Sequence, residues 1–213
     1  MFTGIIEEIG KVIKINKNSK SLSLDIEASK VLKDSKLGDS ISTNGICLTI
    51  TKIQKTSFSV DVMYETVNRS TIRNYKLGTT LNLERALLAN SRIGGHYVSG
   101  HVDGVGKIIN IDRIENALVY RIQASNNILN LMIEKGSVAI DGISLTIINI
   151  FIDSFEVSII PHTLKDTIMR YKGVNDEVNL ETDVMGKYIK KFLTGINNKQ
   201  KIDEKFLINN GFF

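Results

Sequence analysis

One thiol and one hydroxyl occupy matching places in this chain. Cys47 sits in Asn44-Gly45-Ile46-Cys47-Leu48-Thr49-Ile50, and Ser144 in Asp141-Gly142-Ile143-Ser144-Leu145-Thr146-Ile147, an offset of 144 − 47 = 97 residues. Strict alternation puts Ile46, Leu48 and Ile50 on one side of a strand and Cys47, Thr49 and Thr51 on the other; Ser144 and Thr146 oppose Ile143, Leu145 and Ile147 in the second copy. The branched aliphatic side can fill a small core. The other offers a thiol and hydroxyls beside a glycine that lets a ligand approach the backbone, a surface suited to a flat polar heterocycle. Aligning the halves further pairs Ile5 with His101, Ala86 with Asp183 and Leu37 with Lys135. The thiol thus lies in the first half, and the imidazole, carboxylate and ammonium in the second. Two similar pockets with unequal reactive groups suit two similar ligands in unequal roles.

Each group also has an ordinary structural reading. A lone cysteine is often a small buried hydrophobe. His101 could bond a neighbour through one ring nitrogen, Asp183 could cap a final helix, and Lys135 could complement the end of a preceding helix.

The elements that must position these groups also repeat. Thr3-Gly4-Ile5-Ile6 is echoed by Ser99-Gly100-His101-Val102, Met63-Tyr64-Glu65-Thr66-Val67 by Ile160-Pro161-His162-Thr163-Leu164, and Leu81-Asn82-Leu83-Glu84 by Val178-Asn179-Leu180-Glu181. The period is too long for a solenoid unit and fits a whole small domain. Residues 21–26, 58–63, 118–122 and 155–159 read as strands. Asn44-Gly45 reads as a tight turn or bulge needing positive φ. Short strands at even intervals suggest a small barrel in each half. Short helical turns are expected over 31–38 and 66–73, and a helix over 126–135 ending at Gly136. Gly94-Gly95-His96 marks the junction. Val184, Met185, Tyr188, Ile189, Phe192 and Leu193 form one apolar stripe on a last helix of roughly three turns stopping at Gly195. That helix either packs on its own barrel or meets other subunits. Residues 197–213 carry no assignment.

Composition is that of an ordinary soluble protein: 213 residues, 42% hydrophobic, 23% charged, net charge +4 without a dense basic block, which argues against nucleic acid. One cysteine excludes an intrachain disulfide and fits a reducing cytoplasm. One Cys and three scattered His cannot build a usual structural zinc site. No secretory leader or long apolar run is evident, so no membrane partner is expected.

The sequence resembles the riboflavin synthase family. The residues that carry the resemblance are Met1-Phe2-Thr3-Gly4-Ile5, Gly38-Asp39-Ser40-Ile41, Asn44 to Thr49, Gly94-Gly95-His96, Ser99 to Val102, Asp141 to Thr146, Ile160 to Leu164, and Asn179-Leu180-Glu181 with Asp183. It implies a mainly β protein with two homologous six-stranded Greek-key β-barrels, over 1–97 and 98–183, followed by a C-terminal α-helix and tail over 184–213 that assembles a homotrimer. It implies dismutation of two molecules of 6,7-dimethyl-8-ribityllumazine by transfer of a four-carbon unit, with no metal or redox cofactor. A lumazine synthase shell is a further candidate partner. Non-catalytic lumazine-binding proteins of the same fold are the alternative. Carried over residue by residue, ligand contacts fall at Gly4, Ile5, Ile6, Cys47, Leu48, Thr49, Asp61, Val62, Met63, Tyr64, Glu65 and Thr66 in the first half. In the second they fall at Gly100, His101, Val102, Lys135, Ser144, Leu145, Thr146, Ile159, Ile160, Pro161, His162, Thr163 and Leu164. The resemblance implies that His101 transfers protons. It implies that Cys47 acts as nucleophile or positions a water, Ser40 and Thr146 orient it or polarise the ring, and Asp183 stabilises positive charge.

Overall fold

In the computed structural model, residues 1–17, 21–197 and 208 are described. The unassigned tail, 198–213 apart from residue 208, lies outside them. Six strands make the first barrel: β1 (Glu8–Lys17), β2 (Ser21–Glu27), β3 (Ser40–Thr43), β4 (Ile46–Ile53), β5 (Ser57–Met63) and β6 (Thr80–Arg85). Six more make the second: β7 (Gly104–Ile114), β8 (Ala117–Gln123), β9 (Ser137–Ile140), β10 (Ile143–Ile150), β11 (Ser154–Ile159) and β12 (Glu177–Thr182). Both barrels are closed and antiparallel, with the orders β1-β2-β5-β4-β3-β6 and β7-β8-β11-β10-β9-β12. In each, three consecutive strands form hairpins and the next returns beside the first of them, which is a Greek key.

The alternation read from sequence is the one that fills the barrels. Ile46, Leu48 and Ile50 are buried with Leu24, Ile26, Phe58, Leu81 and Leu83; Ile143, Leu145 and Ile147 are buried with Ile122, Phe155, Val157 and Leu180. Closure demands curvature, and each barrel supplies it with bulges at equivalent places, near Val12 and Ile50 in one and near Ile108 and Ile147 in the other. The Asn44-Gly45 turn has φ of 48° and 78°, and Asp141-Gly142 has 44° and 81°, the type I′ signature.

Several local expectations need correction. Residues 31–34 form turns and no helix. The helix expected over 126–135 is only the single turn α2 (Asn126–Leu129). Leu131 N and Met132 N donate to carbonyls three residues back, and Lys135 takes φ +64°, so the chain tightens and then reverses. The turn expected over 66–73 divides into α1 (Tyr64–Arg69) and a 3-10 turn over Thr71–Asn74, with Ser70 extended between them. Its counterpart is α3 (Pro161–Asp166) and a 3-10 turn over Ile168–Tyr171. The last helix, α4 (Val184–Asn197), runs past Gly195.

The barrels meet through reciprocal bonds. Cys47 N donates to Gly100 O at 2.9 Å, and Ser144 N to Gly4 O at 2.8 Å. The two I′ turns lie back to back: a Cβ on Gly45 would stand 2.7 Å from Gly142 N, and one on Gly142 2.8 Å from Gly45 N. Each of these contacts has a twin, so the halves are related by an approximate twofold axis through these turns.

Candidate functional site

Each reactive strand is edged by a segment belonging to the other half of the chain. Gly100–Val102 runs along Cys47, and Gly4–Ile6 runs along Ser144. Both glycines have positive φ (+81° and +77°), and a Cβ on either would collide with the facing residue, at 2.5 Å from Cys47 Cβ and 2.6 Å from Ser144 Cβ. Glycine is therefore required for conformation and for proximity alike. Carboxylates hold both segments in place. Glu84 accepts from Thr3 N, Thr3 Oγ1 and Gly4 N; Glu181 accepts from Ser99 N, Ser99 Oγ and Gly100 N. Burial pushes the Glu84 carboxyl above its ordinary range, against the pull of the Thr3 and Gly4 bonds.

Cys47, Glu65, Thr66, Gly100, His101 and Val102 come together around a cleft of about 190 Å³. The thiol is half-buried and the imidazole exposed. Leu48, Val62, Leu145 and Ile159 point into the barrels, so only their backbones can touch a ligand. Thr49, Asp61, Met63, Tyr64, Thr146, Ile160, Pro161 and His162 lie on the open rims. The exposed His162 Nδ1 stands 3.4 Å from Asp166 Oδ2. Thr163, Leu164 and Ile6 are half-buried, and Ile5 is half exposed.

The other proposed groups are spread out. Ser40 pairs across the strands with Thr49 and lines a separate cleft of about 520 Å³ with Ile5, Glu84, Arg85 and Gly94. Beside it, burial raises the Glu7 carboxyl, but the hydrogen bonds and charge of Arg85 outweigh burial and hold it below the usual range. Thr146 pairs with Ser137. Asp183 caps α4, accepting from Met185 N at 2.9 Å. Lys135 is exposed, and its partner in the first half is Gly38 rather than Leu37. Gly38 N and Lys135 N donate to Ile50 O and Ile147 O, and both residues have positive φ. The pairing of Leu37 with Lys135 is therefore off by one residue.

His96 was missed as a site residue. Its Nδ1 lies 2.7 Å from Ser144 Oγ, its N–H donates to Thr3 O, and Gly95 presses against Thr3 and Ser144 where a side chain could not fit. Burial lowers the His96 pKa, with the Asp183 charge partly offsetting it, which favours the neutral ring against the Ser144 hydroxyl. The junction Gly94-Gly95-His96 was the available signal. The second cradle thus carries a hydroxyl–imidazole pair where the first carries a thiol beside His101. Among the described residues no group of three or more His, Cys, Asp or Glu is placed to hold a metal ion, and no helix is long and apolar enough to cross a membrane.

The lumazine binding domain matches the chain twice, over residues 3–86 and 99–183. The riboflavin synthase of Actinobacillus pleuropneumoniae is 50% identical over 193 residues, 91% of this chain and 90% of that protein. The riboflavin synthase of Bacillus subtilis is 45% identical over the whole of both chains. The chain belongs to the riboflavin synthase family. Among solved structures, LumP complexed with riboflavin superposes with a TM-score of 0.79 at 27% identity, covering 85% of this chain and 99% of that one. LumP complexed with 6,7-dimethyl-8-(1'-D-ribityl) lumazine superposes at 0.77 with 25% identity. Two copies of the domain lie in this one chain, and their edges are exchanged.

Proposed function

We propose that this chain is a riboflavin synthase. It converts two molecules of 6,7-dimethyl-8-ribityllumazine into riboflavin and 5-amino-6-(ribitylamino)pyrimidine-2,4-dione by moving a four-carbon unit from one to the other. The observation that carries this reading is the pair of near-identical cradles with unequal side chains, Cys47 with His101 in one and Ser144 with His96 in the other. A carrier needs no such inequality. The identity to named synthases also exceeds that to LumP, which makes a binding-only role the less favoured alternative.

In this reading His101 takes a proton from the acidic methyl of a bound lumazine and returns it later. Cys47 adds to the electron-poor ring or holds the water that does. Ser40 and Thr146 orient that nucleophile or polarise the second ring, and Asp183 faces developing positive charge while capping α4. Binding the two reactants together supplies much of the rate. His101→Gln is expected to lower kcat roughly a hundredfold, the scale of a lost general acid–base group, and Cys47→Ala to lower it as well. Following riboflavin fluorescence from purified protein plus the lumazine checks both; undiminished turnover in the two variants overturns these roles.

A homotrimer with sites between neighbouring chains suits this chemistry. The Cys47 cleft is smaller than the roughly 300 Å³ at which small-molecule pockets begin, so one chain leaves its ligands uncovered. The apolar face of α4 is also uncovered: Met185, Tyr188, Ile189, Phe192 and Leu193 are each more than half exposed, while Lys187 turns back to pair with Asp103 at 2.6 Å. A helix tied to its own barrel through Lys187, with its apolar residues outward, suits packing against other copies. The double variant Tyr188→Glu/Phe192→Glu is expected to sediment as a monomer with both barrels folded and little turnover. A trimer that survives it rules out α4 as the seam. A cytoplasmic location follows the same proposal, as does any enclosing lumazine synthase shell.

A further inference from the structure

The repeated Leu-Asn-Leu-Glu and Val-Asn-Leu-Glu segments on β6 and β12 take no part in the chemistry above, yet their polar side chains are almost completely buried. Asn82 is 0% exposed, Asn179 1%, Glu84 4% and Glu181 2%. Their bonds lead across the molecule. Asn179 Nδ2 donates to Asn44 O at 2.8 Å and its Oδ1 accepts from Thr71 N at 2.8 Å. Asn44 begins the turn into Cys47, and Thr71 opens the 3-10 turn behind the Met63–Thr66 rim. Glu181 holds the Ser99–Gly100 backbone, whose carbonyl receives Cys47 N. Three walls of the first cradle are thus fixed by one strand of the second barrel. The arrangement is reciprocal. Asn82 Nδ2 donates to Asp141 O at 2.9 Å and its Oδ1 accepts from Ile168 N at 2.8 Å, while Glu84 holds Thr3 and Gly4 against Ser144.

We infer that Asn179 and Asn82 are crossed positioning residues: Asn179, in the second barrel, sets the ligand cradle of the first, and Asn82, in the first, sets that of the second. Neither touches the ligand. Each joins a reactive strand to the opposite rim, so losing it lets the two walls of the other barrel's cradle part while its own barrel keeps its ladder. Backbone groups buried at both ends would lose their partners, which makes the effect local and large. A residue serving only its own barrel's stability would weaken the cradle it belongs to, or both equally.

This inference rests on the cradles binding flavin-like ligands. The test uses the full-length protein and Cys47, the one cysteine in the chain, as a reporter that belongs to the first cradle alone. Riboflavin is the probe because it can occupy the cradles without consuming a second substrate. The riboflavin concentration that half-protects Cys47 from alkylation is measured for parent, Asn179→Ala and Asn82→Ala, alongside total riboflavin binding by calorimetry. Asn179→Ala is expected to raise the half-protecting concentration about tenfold or more, the scale of one lost buried bond. Asn82→Ala should shift it less than twofold while weakening the remaining class of riboflavin site. Thr71→Pro gives a second variant should Asn179→Ala not fold: it removes one N–H at the first position of a helical turn, where proline is accommodated, and should shift protection in the same direction as Asn179→Ala. Equal shifts from Asn179→Ala and Asn82→Ala, or the larger one from Asn82→Ala, overturn the crossed assignment while leaving the proposed function standing. No protection of Cys47 in the parent protein overturns both.

Discussion

Gly100→Ala should lower the unfolding free energy by about 3–4 kcal/mol and reduce turnover below roughly one-hundredth of the parent's. Two costs combine. At φ +81° an alanine is strained by about 1 kcal/mol relative to glycine. Its Cβ would also lie 2.5 Å from Cys47 Cβ and 2.8 Å from Cys47 N, so β4 must retreat and the Cys47 N–Gly100 O bond is lost. Both contacts are with the main chain or the first side-chain atom, so no flexible end can swing aside. Gly78→Ala separates the two costs. Gly78 has φ +87° but an added Cβ meets only Lys11 Cε at 3.6 Å, so this variant should lose about 1 kcal/mol and keep near-parental turnover. Urea unfolding and initial rates of riboflavin formation measure the pair. If the two variants behave alike, backbone strain alone accounts for Gly100, and the close passage beside Cys47 has no catalytic meaning.

The second large effect is expected at the approximate twofold axis, where the halves differ in charge. In the first half Asn44 Nδ2 donates to Tyr75 Oη at 3.0 Å. The corresponding pair in the second half is Asp141 and Lys172, with Nζ 3.3 Å from Oδ2. Asp141 is fully buried; its Oδ1 accepts from Asn179 N, and Lys172 is the neighbour of Oδ2, which has no well-aligned hydrogen bond. Burial drives the Asp141 carboxyl above its ordinary range, with the Lys172 charge opposing. Lys172→Met removes that opposition and should cost about 2–4 kcal/mol at neutral pH, somewhat below the usual figure for a broken buried pair because Lys172 keeps some contact with water. The pH dependence identifies the cause. A carboxyl whose folded pKa lies above its unfolded value binds more protons when folded. Its stabilising contribution is therefore complete below the unfolded value and is lost as pH rises through the folded one. Lys172→Met should accordingly lose stability as pH rises above the ordinary carboxylate range. The double variant Asp141→Asn/Lys172→Tyr, which transplants the neutral pair of the first half, should recover stability to within about 1 kcal/mol of the parent and show no such slope. Urea midpoints measured at acidic and at neutral pH decide it; the same slope in both variants would mean another group is titrating.

Much of the fold was legible because its physics is local. Period-two alternation over residues 46–50 and 143–147 is enforced by the pleat, and those side chains do fill the two barrels. Asn44-Gly45 announced a tight turn or bulge because few other pairs tolerate positive φ, and the structure makes it a I′ turn. The apolar face of α4 follows from 3.6-residue spacing, and Asp183 does cap it. The local signal failed where tertiary contacts took over. The apolar spacing over 126–135 could not reveal that the chain must reverse at Lys135 to feed β9. The pairing of Leu37 with Lys135 missed by one residue because Lys135 itself adopts the positive φ that Gly38 supplies in the first half.

By itself, the sequence determined that one unit is written twice, which faces of its strands are apolar, and how the reactive side chains differ between copies. These are properties of spacing and identity along the chain. Tertiary structure alone decided which segments meet. The exchange of Gly4 and Gly100 between the barrels, the reach of Asn82 and Asn179 across the twofold axis, and the closure of His96 on Ser144 join groups 48 to 140 residues apart. A backbone carbonyl offers the same acceptor whatever its side chain, so such pairings leave no periodicity to read. They exist only once two closed barrels bring their turns together.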